Sequence, residues 1–149
     1  MRAINTAQTT IVVASTRVRL EPILNALVGA AERGVNVRVL INQDDFSDLY
    51  KRSKWLLHPK VQTRVKFFNL RKDQYLSHQM HDKFIVVDDS TVLTGSFNWS
   101  LSSENTYIEN LNEFTGAMGQ ALAQTYTQEF LSLWDMHRLA LSLIINAFR

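Results

Sequence analysis

Apolar and polar residues alternate along the first third of the chain in a way that predicts a strand, a helix and a second strand. Residues 11–14 form a short apolar run rich in β-branched side chains, which is typical of a buried strand. A helix is predicted to begin at Glu21-Pro22 and to end at Gly34, because proline favours the first turn of a helix and glycine its end. Residues 35–41 predict the second strand. Together they predict a βαβ unit with parallel strands and a right-handed crossover.

A hairpin is the clearest pattern in the second half of the chain. Residues 84–87 and 91–94 are two apolar, β-rich runs on either side of a polar turn at Asp88-Asp89-Ser90. The same kind of pattern predicts a basic helix around residues 46–57, a strand at 61–68 and an amphipathic helix at 118–138.

These elements predict one α/β domain over residues 1–149, with a mixed β-sheet flanked by helices on both faces. A chain of 149 residues can bury a sizeable core without covalent crosslinks. The absence of cysteine excludes a disulfide framework, a thiolate nucleophile and a cysteine-ligated zinc site. No signal peptide is visible at residues 1–8, and the apolar stretch at 139–148 is too short to span a bilayer. We therefore expect a soluble chain, with the cytoplasm favoured as its compartment.

Charge is distributed unevenly along the chain. The formal net charge is +2, yet eight cations and no carboxylate fall between Asp48 and Asp73, so the remaining residues sum to −6. Such a basic block suits a polyanionic partner, either nucleic acid or an anionic lipid surface, although a solvated basic face has the same composition. The candidate substrate-binding residues in this block are Lys51, Arg52, Lys54 and, for stacking on bases, Trp55.

The hairpin also predicts a reactive surface. Because side chains alternate along a strand, His81 and Lys83 project to one side, and Ser96 and Asn98 project together. A turn of even length would place His81 opposite Asn98 and Lys83 opposite Ser96, with paired residue numbers that sum to 179. A turn of odd length would put Phe97 opposite His81.

The residue types on this face fit the cleavage of a phosphodiester. A neutral imidazole can attack phosphorus without a metal, and His81 would form a covalent phosphoenzyme that water resolves. Lys83 supplies positive charge and Asn98 supplies amide donors for the phosphate oxygens. A second acid and base is required, and a second copy of the chain related by a two-fold axis would supply it. A metal site on His78 and His81 has few ligands nearby, so neither a metal nor another cofactor is predicted.

The same residues resemble a known signature. The spacing His81-x-Lys83-x4-Asp88-x6-Gly95-Ser96-x-Asn98 is similar to the motif of the phospholipase D superfamily, and Glu109-Asn110 resembles its downstream acidic element. Residues 21–41 also resemble the helix and strand that precede that motif, so the similarity covers roughly residues 3–134. The chain most resembles small members with a single motif, namely bacterial non-specific endonucleases and the mitochondrial cardiolipin hydrolase group, which work as homodimers with one site at the interface.

The resemblance implies a role for each matched residue. His81 would be the nucleophile in one subunit and the general acid in its mate, while Lys83 and Asn98 would bind phosphate. Ser96 would support the site, and Glu109 would accept a hydrogen bond from His81 and so fix the tautomer of the ring. Two further matches are expected to be structural: Asp88 would organise the hairpin, and Gly95 would allow a close approach of two backbones.

The sequence thus predicts a metal-independent phosphodiesterase, with a sequence-tolerant endonuclease as the favoured activity. Two alternatives stay open. One is a hydrolase of an anionic phospholipid such as cardiolipin, and the other is a catalytically silent nucleic-acid-binding member. The sequence does not decide between DNA and RNA, between hydrolysis and transfer, or whether an opening edge strand of the fold precedes this chain.

Overall fold

A six-stranded mixed β-sheet forms the centre of the described part of the protein. The computed structural model describes residues 1–42, 58–66 and 80–136. The elements in chain order are α1 (Arg2–Thr6), β1 (Thr10–Ser15), α2 (Glu21–Glu32), β2 (Asn36–Asn42), β3 (Val61–Lys66), β4 (Lys83–Val87), β5 (Thr91–Gly95), α3 (Leu101–Asn105), β6 (Leu111–Phe114) and α4 (Gly116–Met136). The strand order is β3-β2-β1-β4-β5-β6, with β1, β2 and β3 parallel and the other neighbouring pairs antiparallel.

Helices pack on both faces of this sheet, as predicted. Residues of α1 and α2, such as Leu27, pack on one face against side chains such as Val13 and Val39. On the other face, Phe130 of α4 packs against residues such as Phe84. Every residue of β4 is buried because its two faces are covered by different layers. No helix in the described ranges is long and apolar enough to cross a membrane.

The βαβ unit agrees with its prediction. Strand β1 lies parallel to β2 with Val13 paired to Val39, and α2 begins at Glu21 with a proline in its first turn. Gly34 follows this helix with φ of 97°, a conformation that favours glycine. The strand predicted at 61–68 is present over Val61–Lys66, and the helix predicted at 118–138 begins at Gly116. The helix predicted at 46–57 lies outside the described residues.

The hairpin register differs from the even-length prediction. Phe84 pairs with Thr94, so paired residue numbers sum to 178 rather than 179. Extending this count places Phe97, and not Asn98, opposite His81. The expected cross-strand pair of His81 with Asn98 is therefore wrong, and the alternative of an odd-length turn is correct.

The conformation of the turn explains this register. Val87 is the last paired residue of β4, and Ser90 N donates a 3.1 Å hydrogen bond to its carbonyl. Asp88 and Asp89 lie between them with φ of 50° and 49°. Aspartate enters this left-handed region more readily than most residues, so the chain reverses in three residues.

Lys83 is also not opposite Ser96, and its partner lies on the other side of β4. It pairs with Ser15 at the end of β1. Ser96 N and Phe97 N instead donate to the carbonyl of Asn110, at distances of 3.1 and 3.3 Å, just before β6. The residues predicted to share one hairpin face are thus distributed over the ends of several neighbouring strands.

Candidate active site

Five of the predicted site residues lie at one edge of the sheet. Strands β1 and β5 end at this edge with Ser15 and Gly95, whereas β4 and β6 begin there with Lys83 and Leu111. Antiparallel neighbours alternate in direction, so the end of one strand lies beside the start of the next. The residues that lie in these strand ends or in the loops beside them are His81, Lys83, Ser96, Asn98 and Glu109.

His81 and Lys83 are in direct contact at this edge. The Lys83 Nζ lies 3.2 Å from His81 Nδ1 and donates a 2.8 Å hydrogen bond to the His81 carbonyl. The imidazole is exposed, while Lys83 is only 8% exposed. His81 and Lys83 are two residues apart on an extended chain, so their side chains lie on the same side of it, as predicted. With Nδ1 next to the lysine, Nε2 is on the far side of an accessible ring.

Thr16 completes the surroundings of the lysine ammonium. Lys83 Nζ donates to Thr16 Oγ1 at 3.2 Å, and Thr16 Oγ1 donates to the carbonyl of Met80 at 3.2 Å. The backbone of Thr16 is fixed as well, because its N–H donates to the carbonyl of Asp82 at 3.1 Å. The ammonium therefore has two oxygen acceptors, Thr16 Oγ1 and the His81 carbonyl, and it also lies beside His81 Nδ1.

Burial and neighbouring charges act on the pKa of Lys83. Burial lowers the pKa because it disfavours the charged form, and the cation of Arg17 acts in the same direction. Asp82 and Glu109 oppose this, since each carboxylate stabilises the ammonium. The net direction is a pKa below the ordinary value of lysine.

Glu109 is held by two serines. Its Oε2 accepts a short hydrogen bond from Ser96 Oγ, and its Oε1 accepts a 3.1 Å hydrogen bond from Ser103 Oγ. Both carboxylate oxygens are therefore engaged, and the hydrogen bond expected from His81 to Glu109 is not formed in this structure. The negative charge of Glu109 instead favours the charged form of Lys83 and so acts to raise its pKa.

Close packing of β5 against the residue before β6 fixes the position of Ser96. Ser96 N donates to Asn110 Oδ1 at 2.9 Å, and Asn110 N donates to Ser96 Oγ at 3.0 Å. A Cβ atom on Gly95 would lie 2.1 Å from the Asn110 carbonyl oxygen. The close backbone approach that was predicted for Gly95 is confirmed.

Asn98 lies in the loop after β5, with its side chain partly buried. Its backbone carbonyl accepts a 2.7 Å hydrogen bond from Ser100 N. Its Oδ1 is buried and has no hydrogen-bond partner within the described ranges. The next residue, Trp99, is 3% exposed and belongs to the core, as expected for a side chain on the opposite face.

Asp88 lies at the opposite edge of the sheet, separated from His81 by the whole length of β4. Its carboxylate accepts hydrogen bonds from Gln8 N (2.9 Å), Thr9 N (2.8 Å), Thr9 Oγ1 (2.9 Å) and Thr10 N (3.0 Å). Burial alone would raise the pKa of Asp88, but these hydrogen bonds stabilise the anion and hold the pKa below its usual value. The position agrees with a role in organising the hairpin and places Asp88 away from the reacting groups.

Replacing Asp88 by asparagine should lower the free energy of unfolding at pH 7 by about 1 kcal/mol, because four hydrogen bonds lose a charged acceptor and their exposure to solvent limits the loss. A carboxylate with a depressed folded-state pKa stabilises the protein above its unfolded pKa, and this contribution disappears as the pH falls through the folded value. The deficit of the variant should therefore shrink below about pH 4. Urea unfolding at a series of pH values measures both effects.

Asp89 provides the matched control for this variant. It has a similar positive φ and is exposed, and within the described part of the chain its carboxylate accepts a single hydrogen bond, from Thr127 at 3.3 Å. Asp89→Asn should have a stability close to wild type at every pH. An equal loss in both variants would show that the hydrogen bonds of Asp88 are not responsible.

The basic block is only partly described. Lys51, Arg52, Lys54 and Trp55 lie outside the described residues. Of its described cations, Arg64 lies over the Trp134 ring at 4.2 Å and also donates to the Trp134 carbonyl, so it is engaged in packing. Among the residues that the structure describes, no group of three or more His, Asp or Glu could hold a metal ion.

Two site residues were missed by the sequence analysis. Thr16 follows β1 directly, and the pairing of Ser15 with Lys83 brings it to the lysine head. The sequence did carry a signal for Thr16, because it is a polar residue directly after a buried strand. Ser103 carried no signal, since it is one of several serines in an unremarkable polar run and becomes informative only through its contact with Glu109.

Comparison with known proteins identifies the class to which this fold and site belong. Residues 1–134 match the family described as "Cardiolipin synthase, PLD-like domain". The chain is therefore a member of the phospholipase D-like family, in agreement with the resemblance of its motif.

Individual relatives support the same assignment. The chain is 36% identical over 103 residues to the mitochondrial cardiolipin hydrolase of Xenopus tropicalis, covering 69% of this chain and 44% of the relative. It is 27% identical over 110 residues to phospholipase D of Rickettsia conorii, covering 74% of this chain and 50% of that protein. The chain thus spans about half the length of these curated relatives.

The fold is similar to that of Nuc from Salmonella typhimurium, a phospholipase D family member. The TM-score is 0.74 with 25% sequence identity, and the alignment covers 91% of this chain and 84% of Nuc. The mixed sheet with helices on both faces is therefore an arrangement already known in this family.

Proposed function

We propose that the chain is a metal-independent phosphodiesterase in which His81 is the nucleophile. The observation that carries this proposal is the contact of an exposed imidazole with a buried ammonium, 3.2 Å from His81 Nδ1 to Lys83 Nζ. The contact leaves Nε2 as the ring nitrogen that can approach phosphorus. The lysine provides fixed positive charge where negative charge develops on the phosphate oxygens.

The reaction would proceed in two balanced steps. In the first, His81 reacts as the tautomer that carries its proton on Nδ1. The lone pair of Nε2 forms a bond to phosphorus while the bond to the leaving oxygen breaks, and an acid gives that oxygen a proton. In the second, water attacks phosphorus, the phosphorus–nitrogen bond breaks, and the same group takes the proton of the water. Asn98 would support both steps as a donor to phosphate through its amide nitrogen, since it lies in the loop after β5 at the same edge of the sheet.

We assign the acid and base to His81 of a second copy of the chain. In each copy the imidazole lies exposed at the edge of the sheet, where a two-fold axis can bring two rings to one phosphate. The proposed enzyme is therefore a homodimer with a composite site at its interface.

A sequence-tolerant endonuclease is the activity that the charge distribution favours. The basic block can neutralise backbone phosphates without reading bases. Lys66, one of its described cations, lies at the end of β3, and this end belongs to the same edge of the sheet as His81. Nucleic acid lying along this edge would meet positive charge beside the site.

A phospholipid hydrolase is the second candidate, and a specific surface favours it. Exposed apolar side chains occur on both sides of Glu109, and Ile108 is fully exposed. Such side chains can enter the apolar part of a lipid interface next to a phosphate-binding site. The members of this surface are Leu101, Tyr107, Ile108 and Leu111.

An assay with excess EDTA tests the chemistry and separates the substrates. Plasmid DNA, single-stranded RNA and cardiolipin vesicles are each offered to the wild type, and we expect cleavage of nucleic acid to persist in the chelator. Cleavage of the vesicles alone would establish the lipid candidate. Binding of nucleic acid without any turnover would identify a silent binding member. Activity that disappears with EDTA and returns with a divalent ion would contradict the mechanism.

The composite site predicts that activity depends on assembly. On dilution, the activity per chain should fall in parallel with the dimer fraction measured by light scattering, because a monomer lacks the acid. The substrate for this series is a small diester, which avoids effects of polymer binding. A constant activity per chain at concentrations where only monomer is present would refute the interface site.

A further inference from the structure

Ser103 connects a short helix to the electrostatics of the site. It lies in α3, is 4% exposed, and donates its hydroxyl to Glu109 Oε1 at 3.1 Å. Its own backbone N–H is capped by Ser100 Oγ at 3.4 Å, which fixes the first turn of the helix. The hydroxyl that reaches Glu109 therefore belongs to a buried side chain in the capped first turn of α3.

We propose that Ser103 is a positioning residue that keeps the Glu109 carboxylate in place at the site by holding the oxygen that Ser96 leaves free. The expected effect of Ser103 on turnover rests on the proposed function. The arrangement of Ser103, Glu109 and Ser96 is a property of the folded chain and does not depend on that proposal. Ser96 engages Oε2 from β5 and Ser103 engages Oε1 from α3, so the carboxylate is fixed from two elements. With one hydroxyl alone, the carboxylate could rotate about the remaining hydrogen bond.

The position of Glu109 affects the pKa of Lys83, because few charged groups among the described residues act on that side chain. Burial lowers the pKa of Lys83, Asp82 and Glu109 raise it, and Arg17 lowers it. The imidazole of His81 is in direct contact with the ammonium as well. Among the described residues, loss of a fixed carboxylate leaves Asp82 as the acidic group that raises the pKa of Lys83. The ammonium should then deprotonate more easily, which lowers the fraction of sites with a charged lysine at alkaline pH.

Ser103→Ala tests this role, with Ser102→Ala as the matched control. Ser102 is the preceding residue of the same helix, and its side chain is exposed. Alanine favours helices, so both variants should fold with wild-type spectra. A pH titration of the Lys83 side chain by NMR should show a lower pKa in Ser103→Ala than in the wild type, and no change in Ser102→Ala.

Turnover of a small diester provides the second measurement. Ser103→Ala should reduce kcat roughly 10-fold with little change in KM, as expected for loss of a hydrogen bond to a charged group. The alkaline limb of its pH-rate profile should move to lower pH. In a chain that already carries Glu109→Gln, Ser103→Ala should cause almost no further loss of kcat, because it acts through the Glu109 carboxylate.

Distinct outcomes separate this inference from the proposed function. A wild type without turnover refutes the proposed function, and the NMR titration then decides the role of Ser103 by itself. An unchanged Lys83 titration in Ser103→Ala overturns the inference, even if the enzyme is active. Equal kinetic effects of Ser103→Ala in the presence and absence of Glu109 would overturn it too.

Discussion

His81→Asn should reduce phosphodiester cleavage on the order of 10⁴-fold or more, because the proposed mechanism has no other nucleophile. Asparagine keeps a polar group next to Lys83, and the imidazole it replaces is exposed, so the fold and the melting temperature should stay close to wild type. Cleavage of bis(p-nitrophenyl) phosphate, followed by release of nitrophenol, measures the loss directly. An alkaline quench of the wild type should also yield a chain whose mass has increased by the nitrophenyl phosphoryl group.

His58→Asn is the control for this experiment. His58 precedes β3 at the opposite edge of the sheet, and its Nε2 lies 3.7 Å from Glu32 Oε1. Loss of this long contact, far from His81, should leave turnover unchanged. The nucleophile assignment would be refuted by a His81→Asn chain that still forms the adduct, or by an adduct located on another residue of the wild type.

Gly95→Ala should destabilise the protein by about 3 kcal/mol and impair activity as well. The added Cβ would lie 2.1 Å from the Asn110 carbonyl oxygen and 2.8 Å from its carbon, and backbone atoms paired in a sheet have little room to move. Strands β5 and β6 would have to separate, which weakens the hydrogen bonds between Ser96 and Asn110. Glu109 would shift with its neighbour, so turnover should fall even at temperatures where the variant is folded. Urea unfolding and kcat measure the two effects.

Gly29→Ala should have the opposite effect on the stability of the protein. Its added Cβ would meet only the Arg33 guanidinium at 3.8 Å, and Gly29 lies inside α2. Alanine should stabilise the helix here by about 0.5 to 1 kcal/mol. A Gly95→Ala chain with wild-type stability would show that the close approach of β5 and the residue before β6 is not required.

The strands that are buried on both faces could be predicted from the sequence. Strands β1, β2 and β4 are covered on both faces, so their apolar runs stand out from the polar links. Strand β6 escaped prediction because it has four residues, three of them exposed, and carries no apolar pattern. The five-residue helices α1 and α3 are too short to show helical periodicity.

The candidate site was predictable in its residue types and less so in its contacts. Alternation along a strand depends on local geometry alone, so the contact between His81 and Lys83 followed from their spacing. The register of the hairpin depends on the left-handed conformation of Asp88 and Asp89, which composition does not specify. The partner of Glu109 was predicted as His81, but a serine from a separate helix occupies its second oxygen, and only the folded chain brings them together.

Lys83 is ordered before any ligand arrives. Its ammonium is surrounded by Thr16 Oγ1, the His81 carbonyl and His81 Nδ1, and its stem is buried. A free lysine side chain loses about 2 kcal/mol of rotational freedom when it is fixed, and here this loss accompanies folding rather than binding. A phosphate that enters the site therefore meets a cation whose direction is already set, and the entropy of association is spared that contribution.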